Sequence, residues 1–222
     1  MKAIRSDINP KDCKIVVVIL HDPVIKKKIK AFIDQGGIPS QFILSRTLKN
    51  AKMGVFSNLL KQMNSKLRQD IYRLNHPALK NTMLVGIDVI MNGRNKLVGC
   101  CATITKSLTQ CLTKLYKQQP PVFTEDERKE LQGTRLRDVQ EDRITAARTE
   151  IIKEFINDAM KTYHQTNSAL PEQIIIYRDG MGGPSMTTRV KEREVAEIQN
   201  LLENTTQGYK PKIIYCLVDR NI

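Results

Sequence analysis

Two apolar runs that each end at an aspartate constrain this chain most: Thr82-Met-Leu-Val-Gly-Ile-Asp-Val-Ile90 and Gln173-Ile-Ile-Ile-Tyr-Arg-Asp-Gly-Met-Gly-Gly183. Runs of this length, rich in Ile and Val and bounded by turn residues, read as buried strands. A buried carboxylate without a partner is costly. Asp88 and Asp179 are therefore expected either to close turns by hydrogen bonding or to hold a cation. Asp-Gly also favours turns on its own account, so either residue alone says little. If both strands share one central sheet, their carboxylates converge at one edge and supply the hard oxygen ligands that Mg²⁺ or Mn²⁺ prefers. Such a pair is the core of a two-metal phosphodiesterase.

Composition narrows the class. The 222 residues are 41% hydrophobic and 27% charged, which suits one or two globular domains. No apolar run approaches the roughly 20 residues of a membrane span, and Lys, Arg and Asp follow Met1, so the expectation is an intracellular, soluble chain without a membrane partner. The five cysteines have neither zinc-ligand nor disulfide spacing and are read as reduced and mostly buried. The formal charge is +13, and residues 1–75 carry fifteen Lys or Arg against five Asp or Glu. A basic lobe of this kind points to a polyanion, with nucleic acid the usual one.

Along the chain, Lys14–Leu20 reads as a strand, and Asp22-Pro23 as the start of a helix carrying Lys26, Lys27, Lys28 and Lys30 up to Gly36-Gly37. Gln41–Ser45 is a second strand, followed by a long helix over 52–73. Gln62 and Lys66, four apart, share one face of it. His76-Pro77 ends this unit, placing a domain boundary at 78/79. Beyond it come strands over 82–91, 96–105 and 107–116, the first two joined by a hairpin through Asn92-Gly93. A charged surface insertion over 117–142, a helix over 143–164, the strand that delivers Asp179, a helix over 187–203 and a last strand over 212–218 complete the reading.

Gly86-Ile-Asp-Val89 and Ile176-Tyr-Arg-Asp-Gly180 closely resemble the first and third catalytic-strand motifs of the PIWI domain in the Argonaute/Piwi family. The resemblance implies an α/β fold: an RNase H-like PIWI domain over 79–222, a mixed central sheet flanked by helices, incomplete at its C-terminus, preceded at 1–78 by the C-terminal part of an α/β MID domain. It implies catalytic Asp88, Glu150 and Asp179, with Asp88 and Asp179 holding Mg²⁺ or Mn²⁺. Glu150, in Thr149-Glu-Ile-Ile-Lys153, is taken for the helix glutamate; Glu154, Glu141 and Asp142 compete for that place. The family's fourth group, a His or Asp after the last strand, is not in this sequence, so the chain is expected to be a fragment or shortened relative with an incomplete slicer site.

The family's guide 5′-phosphate pocket maps by resemblance onto Lys28 (or Lys27), Gln41 in Pro39-Ser-Gln41, and Gln62 and Lys66 in Gln62-Met-Asn-Ser-Lys66. The expected partners are a small guide RNA, a complementary target RNA and other silencing proteins, in the cytoplasm, the nucleus or both. Two other readings stand beside this one: a non-catalytic guide-RNA-binding module, and an unrelated RNase H-like nuclease such as a transposase core.

Overall fold

The computed structural model describes residues 13–73, 76–92, 95–131, 133–179, 190–205 and 208–218. It forms two compact units, Met1–Arg73 and Leu74–Ile222. The division falls after Arg73, a few residues ahead of the 78/79 boundary read from His76-Pro77.

The first unit is built on a strand–helix–strand crossover. Strands β1 (Val16–Leu20) and β2 (Ser40–Leu44) pair in parallel from Val16↔Ser40 to Leu20↔Leu44. Helix α1 (Lys26–Gln35) connects them and buries Ile33. Asp22 does not cap α1; its carboxylate accepts from the Val24 amide one turn earlier. The return to β2 needs Gly37, whose φ of +69° is readily adopted only by glycine. After a short helix α2 (Ser45–Lys49), α3 spans Met53–Lys66, ending seven residues before the expected 52–73 does. Arg68, at φ +58°, turns the chain out of the helix.

The second unit is one five-stranded sheet in the order β5-β4-β3-β6-β7. Its strands are β3 (Thr82–Asn92), β4 (Asn95–Thr103), β5 (Cys111–Gln118), β6 (Gln173–Asp179) and β7 (Lys212–Val218). The first three form an antiparallel meander, while β3 and β6, and β6 and β7, pair in parallel. The third strand thus lies later than the 107–116 expected. Gly93 of the predicted hairpin turn lies outside the described residues.

Strand alternation gives the sheet two unlike faces. One carries Met83, Val85 and Ile87 of β3, Val98, Cys100 and Ala102 of β4, and Ile174 and Ile176 of β6, all buried. Against it lies α5, a single helix over Thr134–Asn167 whose Ile152, Phe155, Ile156, Ala159, Met160 and Tyr163 recur at helical spacing. Burying each large side chain here contributes about 1.5–3 kcal/mol. Helix α6 (Ala196–Thr205) adds Ile198 and Leu202 and is entered through a π-helical segment, Val190–Val195.

The segment read as a charged surface insertion over 117–142 contains the end of β5, a short helix α4 (Glu125–Glu130) and the start of α5. A capping box opens α4: the Thr124 hydroxyl accepts from the Glu127 amide, and the Glu127 carboxylate accepts from the Thr124 amide. Arg143, its guanidinium 4.6 Å from the centre of the Phe123 ring, pairs with Glu127 and holds that carboxyl well below the usual range, to about 2.

The core is not wholly apolar. Arg178 and Glu194 are both fully buried, with Arg178 Nε 3.3 Å from Glu194 Oε1. Arg148 of α5 lies 3.6 Å from the other carboxylate oxygen, and the Tyr215 hydroxyl of β7 donates to Oε1. The cysteines differ from expectation too: only Cys100 is buried, Cys111 is exposed, and Cys13, Cys101 and Cys216 are intermediate.

Candidate functional site

The residues expected to form the two sites fall one set in each unit. In the first unit, three predicted residues meet. Gln41, only 4% exposed, is fixed at the start of β2. Its Nε2 donates to Gln62 Oε1 at 3.1 Å, and its Oε1 accepts from Lys66 Nζ at 2.8 Å. Lys66 also donates to the Ser40 carbonyl at 2.5 Å. Gln62 and Lys66 reach Gln41 together because positions four apart on α3 lie one above the other.

The lysine chosen on α1 needs correction. Burial pushes the Lys66 ammonium below its ordinary pKa, and the positive charges of Lys30 and then Lys26 push it the same way. Those two lysines flank the stripe of Ile29 and buried Ile33 that faces β2. Lys26 stands 6.0 Å over the Phe42 ring, and Lys30 pairs with Asp34 on its own helix. All four lysines are exposed, but Lys28, two positions from each of that pair, lies on the opposite side of α1, and Lys27 also falls off the inward stripe. Four lysines in five positions leave the helix phase unreadable until the buried isoleucine fixes it. The result is a concentration of positive charge around one buried amide, suited to an oxyanion that would form charge-assisted hydrogen bonds with it.

In the second unit, Ile87↔Arg178 is the last paired position of the parallel β3–β6 ladder. Asp88 and Asp179 follow it on adjacent strands, and alternation turns both side chains to the face away from α5. They line the same open cleft of about 530 Å³, with Tyr177, Leu115 and Val218 among its walls and Gly86 and Gly99 in its floor. A Cβ on Gly86 would meet nothing within 4 Å, and one on Gly99 would touch only Leu115 and the Asp88 carbonyl, so the glycines leave room over the sheet beside the carboxylates. The Cys100 thiol points to the helix-covered face, where burial pushes it up to about 12, so it is protonated near neutral pH and is no ligand at this cleft.

Glu150 does not join the pair. It sits on α5, which packs against the other face of the sheet, and its carboxylate is 70% exposed and bound 3.0 Å from Lys153 Nζ. Lys153 in turn reaches Glu197 of α6 at 3.0 Å. Lys153 therefore ties α5 to α6, and Glu150 is one of its two partners. Two neighbouring carboxylates fit one hard divalent cation that keeps several waters. Among the described residues no three or more His, Cys, Asp or Glu gather into a metal cage, so these residues do not assemble the ligands of a second ion.

Arg148, Glu194 and Tyr215 were not singled out from the sequence. A usable signal was there: in Tyr177-Arg178-Asp179 the arginine must point to the face opposite its neighbours, which is the helix-covered one, and a buried guanidinium calls for a carboxylate.

A family model for the Piwi domain matches residues 15–222. The chain belongs to the Piwi domain family. The match begins just before β1, so both units lie within it. The chain is 25% identical over 230 residues to Piwi-like protein 1 of Gallus gallus, an alignment covering 100% of this chain and 23% of that protein. Its fold is that of the AGO MID-PIWI domains of N. crassa QDE-2, with a TM-score of 0.67, 19% identity, and coverage of 97% of this chain and 57% of that one. Kluyveromyces polysporus Argonaute, solved with a guide RNA, gives a TM-score of 0.66 at 16% identity over 94% of this chain and 24% of that one. The chain spans less than a quarter of the length of the curated relatives it matches. Among the described residues no Piwi-fold helix is long and apolar enough to cross a membrane.

Proposed function

We propose that this chain is the guide-RNA-binding part of a small-RNA-guided silencing protein, that its first unit holds the 5′-phosphate of the guide, and that Asp88 and Asp179 bind one Mg²⁺ or Mn²⁺. The observation that carries the reading is the joining of Gln41, Gln62 and Lys66 by hydrogen bonds amid the charges of Lys26 and Lys30. A terminal phosphate brings two charges and three acceptor oxygens, and it would take over the Lys66 donors now spent on neutral oxygens. Charge-assisted bonds contribute more than neutral ones, about 1.5–3 kcal/mol each. Membership of the Piwi family and a neighbour solved with a guide RNA support the same reading.

A bound divalent ion at the aspartate pair would polarise a phosphodiester and steady the charge that develops on it. This chain's own part there is to hold the two carboxylates side by side over a glycine floor. The position of Glu150 on the far face favours guide and target binding over cleavage as the role of the described residues.

The test is affinity. Single-stranded RNA with a 5′-phosphate is expected to bind the full chain at least about tenfold more tightly than the same RNA with a 5′-hydroxyl, one such bond sufficing for that ratio. Affinity for both is expected to fall steeply with salt. Equal affinity for the two RNAs would remove the phosphate pocket from the reading.

A further inference from the structure

Arg178 immediately precedes Asp179 on β6, so whatever holds the arginine side chain on the helix-covered face sets the direction of the carboxylate on the other. Glu194 holds it, at 3.3 Å and at zero exposure. The same carboxylate receives the Tyr215 hydroxyl from β7, the strand paired with β6, and lies 3.6 Å from Arg148 of α5. One side chain from the π-helical entry to α6 thus joins three other elements around the end of β6.

Stability alone does not explain this choice. A buried carboxylate between guanidinium groups gives up hydration that an apolar side chain of similar size would not need. Arg148 shows the cost directly: burial, and then the charge of Arg178, pull its pKa down, and Glu194 opposes the shift. What ions offer over a leucine is direction. The Arg178–Glu194 contact runs through one nitrogen, Nε, at 3.3 Å, and this ion contact favours one placement of the two side chains, whereas an apolar contact tolerates rotation.

We infer that Glu194 is the positioning residue for the Asp88–Asp179 pair, anchoring Arg178 so that Asp179 stands beside Asp88 in the geometry a single divalent ion requires. This rests on the reading of the aspartates as a cation site.

The test is Mn²⁺ titration of the full chain, reading free ion by electron paramagnetic resonance and folding by circular dichroism. The variants are Glu194→Gln, Tyr215→Phe, Asp179→Asn, and Ile152→Val as a core change outside the cluster. Glu194→Gln is expected to weaken Mn²⁺ binding by about tenfold, the usual loss when a group orienting a metal ligand is changed. Tyr215→Phe, which removes one hydroxyl and keeps the packing, is expected to weaken it severalfold, and Ile152→Val to leave it unchanged. Should Glu194→Gln fail to fold, Tyr215→Phe carries the test. Wild-type affinity in a folded Glu194→Gln, or in Tyr215→Phe where Glu194→Gln does not fold, overturns the inference, as does an equal loss in Ile152→Val. A wild-type chain that binds no Mn²⁺, or binds it as well with Asp179→Asn, removes the cation site itself and the inference with it.

Discussion

Replacing Arg178 with alanine is expected to destabilise the sheet unit by about 3–5 kcal/mol, the usual cost of removing one partner from a buried ion pair. The variant leaves the Glu194 carboxylate at zero exposure with, among the described residues, the Arg148 guanidinium 3.6 Å away and the Tyr215 hydroxyl. It also opens a void where the largest of the fully buried side chains stood. The loss is set by the orphaned carboxylate more than by the worth of the pair, which separates two explanations. Changing the whole cluster to apolar residues, Arg148→Met with Arg178→Met and Glu194→Leu, leaves no charge behind and is expected to recover most of the stability. Urea denaturation with a common slope reads both effects. A loss under about 1 kcal/mol for Arg178→Ala would mean that water reaches this site and that the cluster is not the buried system seen here.

The second large effect concerns Asp88 and Asp179. Either Asp→Asn change is expected to lower Mn²⁺ affinity by at least about tenfold, since a hard dication loses a charged oxygen that a neutral amide replaces poorly. The wild-type chain is expected to bind one ion at this cleft. Both expectations come from the same geometry: two carboxylates follow the last paired position of β3 and β6, and Glu150 is occupied on the other face. Calorimetric titration gives stoichiometry and affinity together. Two strong sites per chain, or a first site untouched by Asp88→Asn, would show that other groups form the cation site.

What could be read in advance followed how local its cause was. The strands bearing Asp88 and Asp179 were plain because a strand buried at its centre must be apolar throughout, and nothing distant alters that. The side-by-side placement of Gln62 and Lys66 was equally local, since four residues on a helix fix it. The start of helix α5 was read nine residues late because its first turns are mostly exposed and polar, and apolar periodicity begins only near Ile144. Helix α4 was missed although Thr124 and Glu127 spell its capping box. Lys28 (or Lys27) was read in place of Lys26 and Lys30 because the helix phase, which Ile33 sets by packing against another element, was not legible. Glu150 and Glu194 show the limit most clearly. Both are glutamates in charged helical stretches, one exposed and one fully buried, and only the way α5 and the π-helical segment meet the sheet separates them.

The most direct test of the guide-binding account is a cycle of four affinities: wild type and Lys66→Ala, each with 5′-phosphorylated and 5′-hydroxyl RNA of one sequence at one salt concentration. Such a cycle isolates the interaction between the Lys66 ammonium and the terminal phosphate from changes elsewhere. The account predicts a coupling of about 1.5–3 kcal/mol, with Lys66→Ala losing affinity for phosphorylated RNA and little for the hydroxyl form. A coupling near zero, with both RNAs weakened alike, would contradict it and leave Lys66 as one more charge on a basic surface.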